Sequence, residues 1–182
     1  MLNIPEYKEY GGETKIALMD NSSLAFMHEL SQRSYPSDEI LSVYDLILIP
    51  KWVMEEIEDS TYRSTYVEQL QAQGYPIRWI DETKYGTFVN DEDVNLYYIV
   101  EAAVSRVSEL MRFLRRKVKT EDLIDLPSAE EWMNQIYDEW PIHGRTLSTG
   151  RVLKKNAGEI SLTILAEVFA WYHNEVDSLT IY

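Results

Sequence analysis

A chain of 182 residues with 45% hydrophobic and 26% charged residues can form one sizeable core and has the balance of an ordinary globular protein. No run is long and apolar enough to span a bilayer, and Met1–Gly12 lacks the basic-then-apolar pattern of a signal peptide. The absence of cysteine excludes disulfides and thiolate zinc sites and fits a cytoplasmic location, while a net charge of −14 argues against a surface that binds nucleic acid throughout. The charge is unevenly spread. Residues 106–155 hold ten of the 17 basic residues beside eight acids, so an acidic body carries one locally basic region.

In chain order, Met1–Thr14 reads as a polar lead-in arm. Lys15–Met19 is a short apolar run that stops at Asp20, the pattern of a buried strand releasing into a helix. Asn21–Arg33 then has apolar residues at Leu24, Phe26, Met27 and Leu30, which predicts an amphipathic helix. Ser34-Tyr35-Pro36-Ser37 breaks it, and a short second helix, capped by Ser37 or Asp38, runs through Tyr44. Asp45–Ile49 is the second strand, uninterrupted in its apolar character as doubly covered parallel strands are. Pro50 favours a helix start, so Lys51–Asp59 is predicted helical, and Tyr62–Gln73 forms a separate helix. Ile77–Ile80 is the third strand.

Asp81–Asp93 is acidic and turn-rich. Val94–Lys119 has one long helical pattern, with an acidic start and a basic end that suit the helix macrodipole. Ser128 and Glu131 stand at capping-box spacing, which starts a helix through Trp140. Ile142–Gly150 reads as loop and Arg151–Asn156 as a basic stretch. Gly158-Glu159 opens a last helix, Ile160–Asn174, and Ser178–Tyr182 is β-prone. Strands alternating with helices predict an α/β fold with a largely parallel sheet.

Three acids share one type of location. Asp20 ends the first strand, Glu55 and Glu56 lie in the helix launched by the second, and Glu159 begins the last helix. In a parallel sheet these positions gather at one edge, where α/β proteins bind ligands. Clustered carboxylates repel, so a cluster implies a cation or a raised pKa, and oxygen-only donors suit Mg²⁺ or Mn²⁺. Such a metal activates water and neutralises a phosphodiester. Each acid also has a plainer reading, since Asp, Asn and Ser cap helices and Glu is favoured in a first helical turn.

These pieces together resemble a PIN domain, the metal-dependent ribonuclease fold. The matching residues are the strand end Asp20-Asn21-Ser22, the segment Ile49-Pro50-x-x-Val53-x-x-Glu56, and Gly158-Glu159-Ile160-Ser161-Leu162. The resemblance implies a three-layer α/β/α domain over residues 1–182 with a helical insertion at 81–155. It implies Asp20, Glu56 and Glu159 as the catalytic, metal-binding acids for Mg²⁺ or Mn²⁺, with Asn21 and Ser22 in support. Glu55 is one residue short of the family's spacing from Pro50. The implied substrate is RNA, with DNA as the second candidate, and the implied partners are an antitoxin-like protein or a second copy in a homodimer. The chain departs from the family at Asn21, where a hydroxyl residue is usual. Family members also carry a further Asp after the strand corresponding to Ser178–Tyr182, whereas Asp177 precedes that strand. Three expectations follow: a chain truncated after Tyr182, a site that works with three acids, or a PIN-like module without nuclease activity that serves interaction or regulation.

The basic residues Arg112, Arg115, Arg116, Lys117, Arg151, Lys154 and Lys155 are the candidates for contact with a phosphate backbone. A basic helix end is also what the macrodipole favours. His28, His143 and His173 form no ligand pattern. No phosphate-cradling glycine loop or nucleophile elbow is present, and Ser22 stands where an aspartyl-phosphate phosphatase wants its second acid.

Overall fold

Four of the apolar runs become the strands of one parallel sheet. A computed structural model of the protein describes residues 2–89, 93–117 and 128–182. In chain order the strands are β1 (Lys15–Leu18), β2 (Leu46–Pro50), β3 (Ile77–Ile80), β4 (His143–Thr146), β5 (Val152–Lys154) and β6 (Ser178–Ile181). The main sheet has the order β3-β2-β1-β6, with every neighbouring pair parallel. Leu18 is in register with Leu48 on one side and Ile181 on the other. All four carboxyl ends therefore lie at one edge of the sheet. β2 is buried along its whole length, and Ile16, Ala17 and Leu18 of β1 are wholly inaccessible. An uninterrupted apolar strand is stable only when both of its faces are covered.

Helices provide that cover. They are α1 (Asn21–Gln32), α2 (Lys51–Glu58), α3 (Thr61–Ala72), α4 (Asp93–Val104), α5 (Ser108–Lys117), α6 (Ala129–Asp138) and α7 (Ala157–Tyr172), with 3-10 turns at Ser37–Val43 and Glu82–Phe88. α1 packs on α3, α7 packs on α4, and α2 touches both α1 and α7. The protein is thus α/β, a four-stranded parallel sheet flanked by helices. The capping box forms as its spacing predicts: Ser128 accepts from the Glu131 amide and the Glu131 side chain reaches back to the Ser128 amide.

Three local expectations change. The single long helix is two, because the chain makes tight three-residue turns after α4, with Ser105 N donating to Ala102 O and Val107 N to Val104 O. That break lets α4, buried on several sides against α7, give way to α5, which buries only Leu110, Phe113 and Leu114. Val118 and Lys119, assigned to the same helix, lie outside the described residues. The acidic, turn-rich stretch contains the 3-10 helix Glu82–Phe88, begun by the Asp81 side chain accepting from Thr83 N at 3.0 Å. The stretch read as loop carries β4, paired antiparallel with β5 in a small hairpin that turns through Gly150 at φ 83°. Leu147 and Leu153 are its buried anchors.

The two outer strands of the sheet are finished differently. Along β3 the N-terminal arm continues the pairing, with Tyr7 N donating to Trp79 O at 2.7 Å and Trp79 N to Pro5 O at 3.0 Å. The β6 side carries no further strand among the described residues. No helix among the described residues is long and apolar enough to cross a membrane.

Candidate functional site

Asp20 is placed by three backbone facts. Its amide donates to Tyr182 O at 2.9 Å, the preceding Met19 amide donates to Leu48 O, and its extended conformation makes it the N-cap of α1. Its Oδ2 accepts from Ser22 N at 3.0 Å. Capping takes up one carboxylate oxygen, so the cap and a second task are compatible. Next in the chain, Asn21 is buried at the start of α1, and its Nδ2 donates to Glu56 Oε2 at 3.2 Å. Asn21 Oδ1 is buried without a hydrogen-bond partner. An orphaned buried amide oxygen is costly and needs a missing donor or cation to account for it.

Glu56 reaches this place because β2 ends in Pro50, which sets the φ of −58° from which α2 departs. Glu159 reaches it because Asn156 adopts a left-handed conformation, φ 64°, before α7 begins. Asn tolerates that region better than most side chains. Gly158 lets α7 approach α2 closely: a Cβ there would stand 3.2 Å from Val53 Cγ2 and 3.5 Å from Glu56 Oε1. The Gly-Glu pair is therefore a close-packing device that sets the start of α7 beside the Glu56 carboxylate.

Two of the acids act on the third. Glu56 is half-buried, and its pKa is raised by burial first, then by the negative charges of Glu159 and Asp20. The Asn21 amide and the charge of Arg145 oppose that rise. All available donors are oxygens, which is the chemistry of a hard divalent cation. As the side chains are oriented, however, no three Asp, Glu or His residues among the described residues stand close enough to enclose a metal ion. Glu159 is the exposed member of the trio.

Glu55 belongs elsewhere. It pairs with Arg151 at 2.5 Å and accepts a hydrogen bond from Tyr137 Oη. Ser22 lends its amide to Asp20, and its side chain also lines an apolar surface groove with Phe26, Ile40 and Tyr182. Asp177 lies at the opposite end of β6, its amide donating to Thr14 O.

The basic candidates split into two groups. On α5, Arg115 pairs with Glu101 at 3.3 Å, Lys117 pairs with Glu139, and Arg112 Nε donates to Ser108 O. Arg112, Arg115 and Arg116 line a surface pocket with Glu109. On the hairpin, Arg151 is tied to Glu55, and Lys154 Nζ donates to Asp138 O at 3.1 Å, while Lys155 is exposed. Arg151 and Lys154 therefore fasten the hairpin to α2 and α6.

Three residues near the acids carry no sequence signal strong enough to single them out. Arg63, at the start of α3, donates from Nη2 to Glu56 O at 3.2 Å. Arg145, on β4, stands 3.7 Å from Asp59. Glu82 is completely buried; its Oε1 accepts from Trp52 N at 2.9 Å and from Ser161 Oγ at 2.8 Å. Burial pushes the Glu82 pKa up to about 8. It ties the start of α2 to α7, the two helices that carry Glu56 and Glu159. No family model, curated protein or solved structure gives a significant match to this chain.

Proposed function

We propose that this chain is a PIN-like, Mg²⁺- or Mn²⁺-dependent nuclease that hydrolyses the phosphodiesters of RNA. The observation that supports the reading best is the environment of Glu56, a carboxylate whose proton is held more tightly by burial first and then by the charges of Glu159 and Asp20. Three elements far apart in sequence converge there, at the edge where the strands end. The orphaned Asn21 Oδ1 gives independent support, because it is a second oxygen in want of a partner beside the same carboxylate.

In this reading Asp20, Glu56 and Glu159 hold the ion and Asn21 orients Glu56. A bound Mg²⁺ or Mn²⁺ supplies neutralisation of the phosphodiester charge and a lowered pKa for water. The residues themselves do the positioning. Asp20 keeps its place through the α1 cap, and Glu56 is held by the Asn21 amide. Glu159 is brought alongside by the Gly158 contact.

A second reading, a PIN-like interaction module without nuclease activity, is favoured by the spread of the trio, which encloses no ion as oriented. One experiment separates the two. Mn²⁺ titration followed by paramagnetic resonance, with a labelled single-stranded RNA cleavage assay alongside, is run on the wild type and on Glu56→Gln. Saturable Mn²⁺ binding and metal-dependent cleavage, both lost in the variant, support the nuclease. Absence of both from the wild type supports the module.

A further inference from the structure

Beside the acids the fold brings together two guanidinium groups that nothing in the described protein neutralises fully. Arg63 comes from the first turn of α3 and Arg145 from β4, 82 positions later in the chain. Arg63 spends one of its five donors on the Glu56 carbonyl, and its Nε is buried without a partner. Arg145 stands 3.7 Å from Asp59 Oδ2, beyond hydrogen-bond length, and its side chain is 56% exposed. Asp59 is already engaged, because Oδ1 accepts from Ser148 N at 3.1 Å and from Ser148 Oγ at 2.9 Å. Those bonds to the hairpin turn are what hold the hairpin, and with it Arg145, over the end of α2.

The two cations feel each other. The pKa of Arg63 is lowered, first by burial and next by the charge of Arg145. Arg145 also lies close enough to Glu56 to lower the pKa of that carboxylate. A fold that brings two guanidiniums together, leaves most of their donors unspent and sets them beside a carboxylate cluster has built the complement of an anion with several oxygens. Phosphate is that anion, since Arg donors match its geometry in pairs.

We infer that Arg63 and Arg145 form a phosphate clasp that grips the phosphodiester backbone of a single-stranded nucleic acid next to the acid trio, with the docked β4–β5 hairpin holding Arg145 in place. The identity of the anion rests on the nuclease reading, while the clasp itself needs no metal. It also assigns the hairpin a purpose: Asp59–Ser148 and Glu55–Arg151 dock it at two points along α2.

The test is fluorescence anisotropy with a fluorescein-labelled 12-nucleotide polyuridylate, and the equivalent polythymidylate DNA, in EDTA over a range of salt. The wild type binds both. Arg145→Gln and Arg63→Gln each weaken binding about fivefold or more and reduce the salt slope by about 0.7, the increment for one phosphate contact on a single strand. Lys8→Gln, an exposed cation on the N-terminal arm, changes neither. Arg145 is exposed, so its variant keeps the wild-type melting temperature and the result stands even if Arg63→Gln unfolds. Absence of wild-type binding, or an unchanged affinity and slope in Arg145→Gln, overturns the clasp. A loss confined to RNA overturns the assignment to phosphate in favour of sugar or base. If the wild type takes up no Mn²⁺ yet Arg145→Gln still loses binding, the metal reading falls and the clasp stands; the reverse pattern has the reverse meaning.

Discussion

On α2 the side chains of Glu55 and Glu56, one residue apart, meet two different environments. Glu55 is answered by a cation and a phenol, Arg151 and Tyr137, on a face that also stacks Trp52 on Tyr137 at 4.7 Å between ring centres. Glu56, about 100° further round the helix, is answered by one amide, two other carboxylates and the charge of Arg145. Identical side chains on consecutive positions therefore meet different electrostatics. Where a cation is paired directly the acid fastens structure; under the nuclease reading, the remaining counter-charge at Glu56 is a bound metal ion. The family-like spacing from Pro50 favours Glu56 over Glu55, and of the two it is Glu55 that pairs directly with a cation.

The contrast breaks most severely if Glu56 is replaced. Under the nuclease reading, Glu56→Gln lowers Mn²⁺ affinity by at least about 100-fold, beyond the 10–100-fold range of residues one contact removed from a metal. Glu55→Gln leaves it unchanged. Thermal unfolding gives the same comparison: at 100 times the wild-type dissociation constant Mn²⁺ stabilises the wild type and Glu55→Gln by about 2.7 kcal/mol and Glu56→Gln by at most about 0.4 kcal/mol.

The partnered side of α2 is probed by pH through Glu82. The fold holds its proton up to about pH 8, whereas the unfolded chain releases it near 4.5. The stability this residue contributes is complete below about 4.5, declines as pH rises to about 8, and is gone above it. Urea unfolding at pH 5 and pH 8.5 therefore shows a loss for the wild type, on the order of a few kcal/mol, that Glu82→Gln largely removes.

Smaller effects sharpen the comparison further. Under the nuclease reading, Asn21→Ala, which removes the side-chain amide on Glu56, reduces Mn²⁺ affinity about 10- to 100-fold. Glu55→Ala costs about 1–2 kcal/mol of stability through the loss of Arg151 and Tyr137, read by chemical denaturation, with no change in Mn²⁺ affinity. An equal effect of the Glu55 and Glu56 substitutions on metal affinity would erase the distinction between the two faces.

Much of this was legible from residue order because it depends on local physics. Continuous apolar runs gave β1, β2 and β3 their places, Pro50 marked the start of α2, and Ser128 with Glu131 marked α6. The β4–β5 hairpin was not legible: His143–Thr146 is short and polar, and its pairing with Val152–Lys154 is fixed by docking onto α2 and α6 rather than by an alternating pattern. The break between α4 and α5 likewise follows from packing, since the apolar period runs through it unbroken. Of the acids, the candidate trio was legible because Asp20 caps a helix, Glu159 lies in the first turn of one and Glu56 follows closely on the end of β2. Glu82 was not, because a Glu beside Asp81 in an acidic stretch reads as solvated although the fold encloses it completely. Arg63 and Arg145 belong together only through the tertiary structure, which sequence spacing does not encode.

The bond from the Asp20 amide to the Tyr182 carbonyl joins the candidate site to the outermost strand of the sheet. Outer strands peel away more often than inner ones, and a local opening of β6 exposes that amide to solvent exchange. Deuterium uptake at Asp20 is accordingly a clock for the lifetime of the strand. Each opening also frees the backbone that aims the Asp20 carboxylate, so the protection factor of that one amide reports the fraction of time for which Asp20 keeps its place.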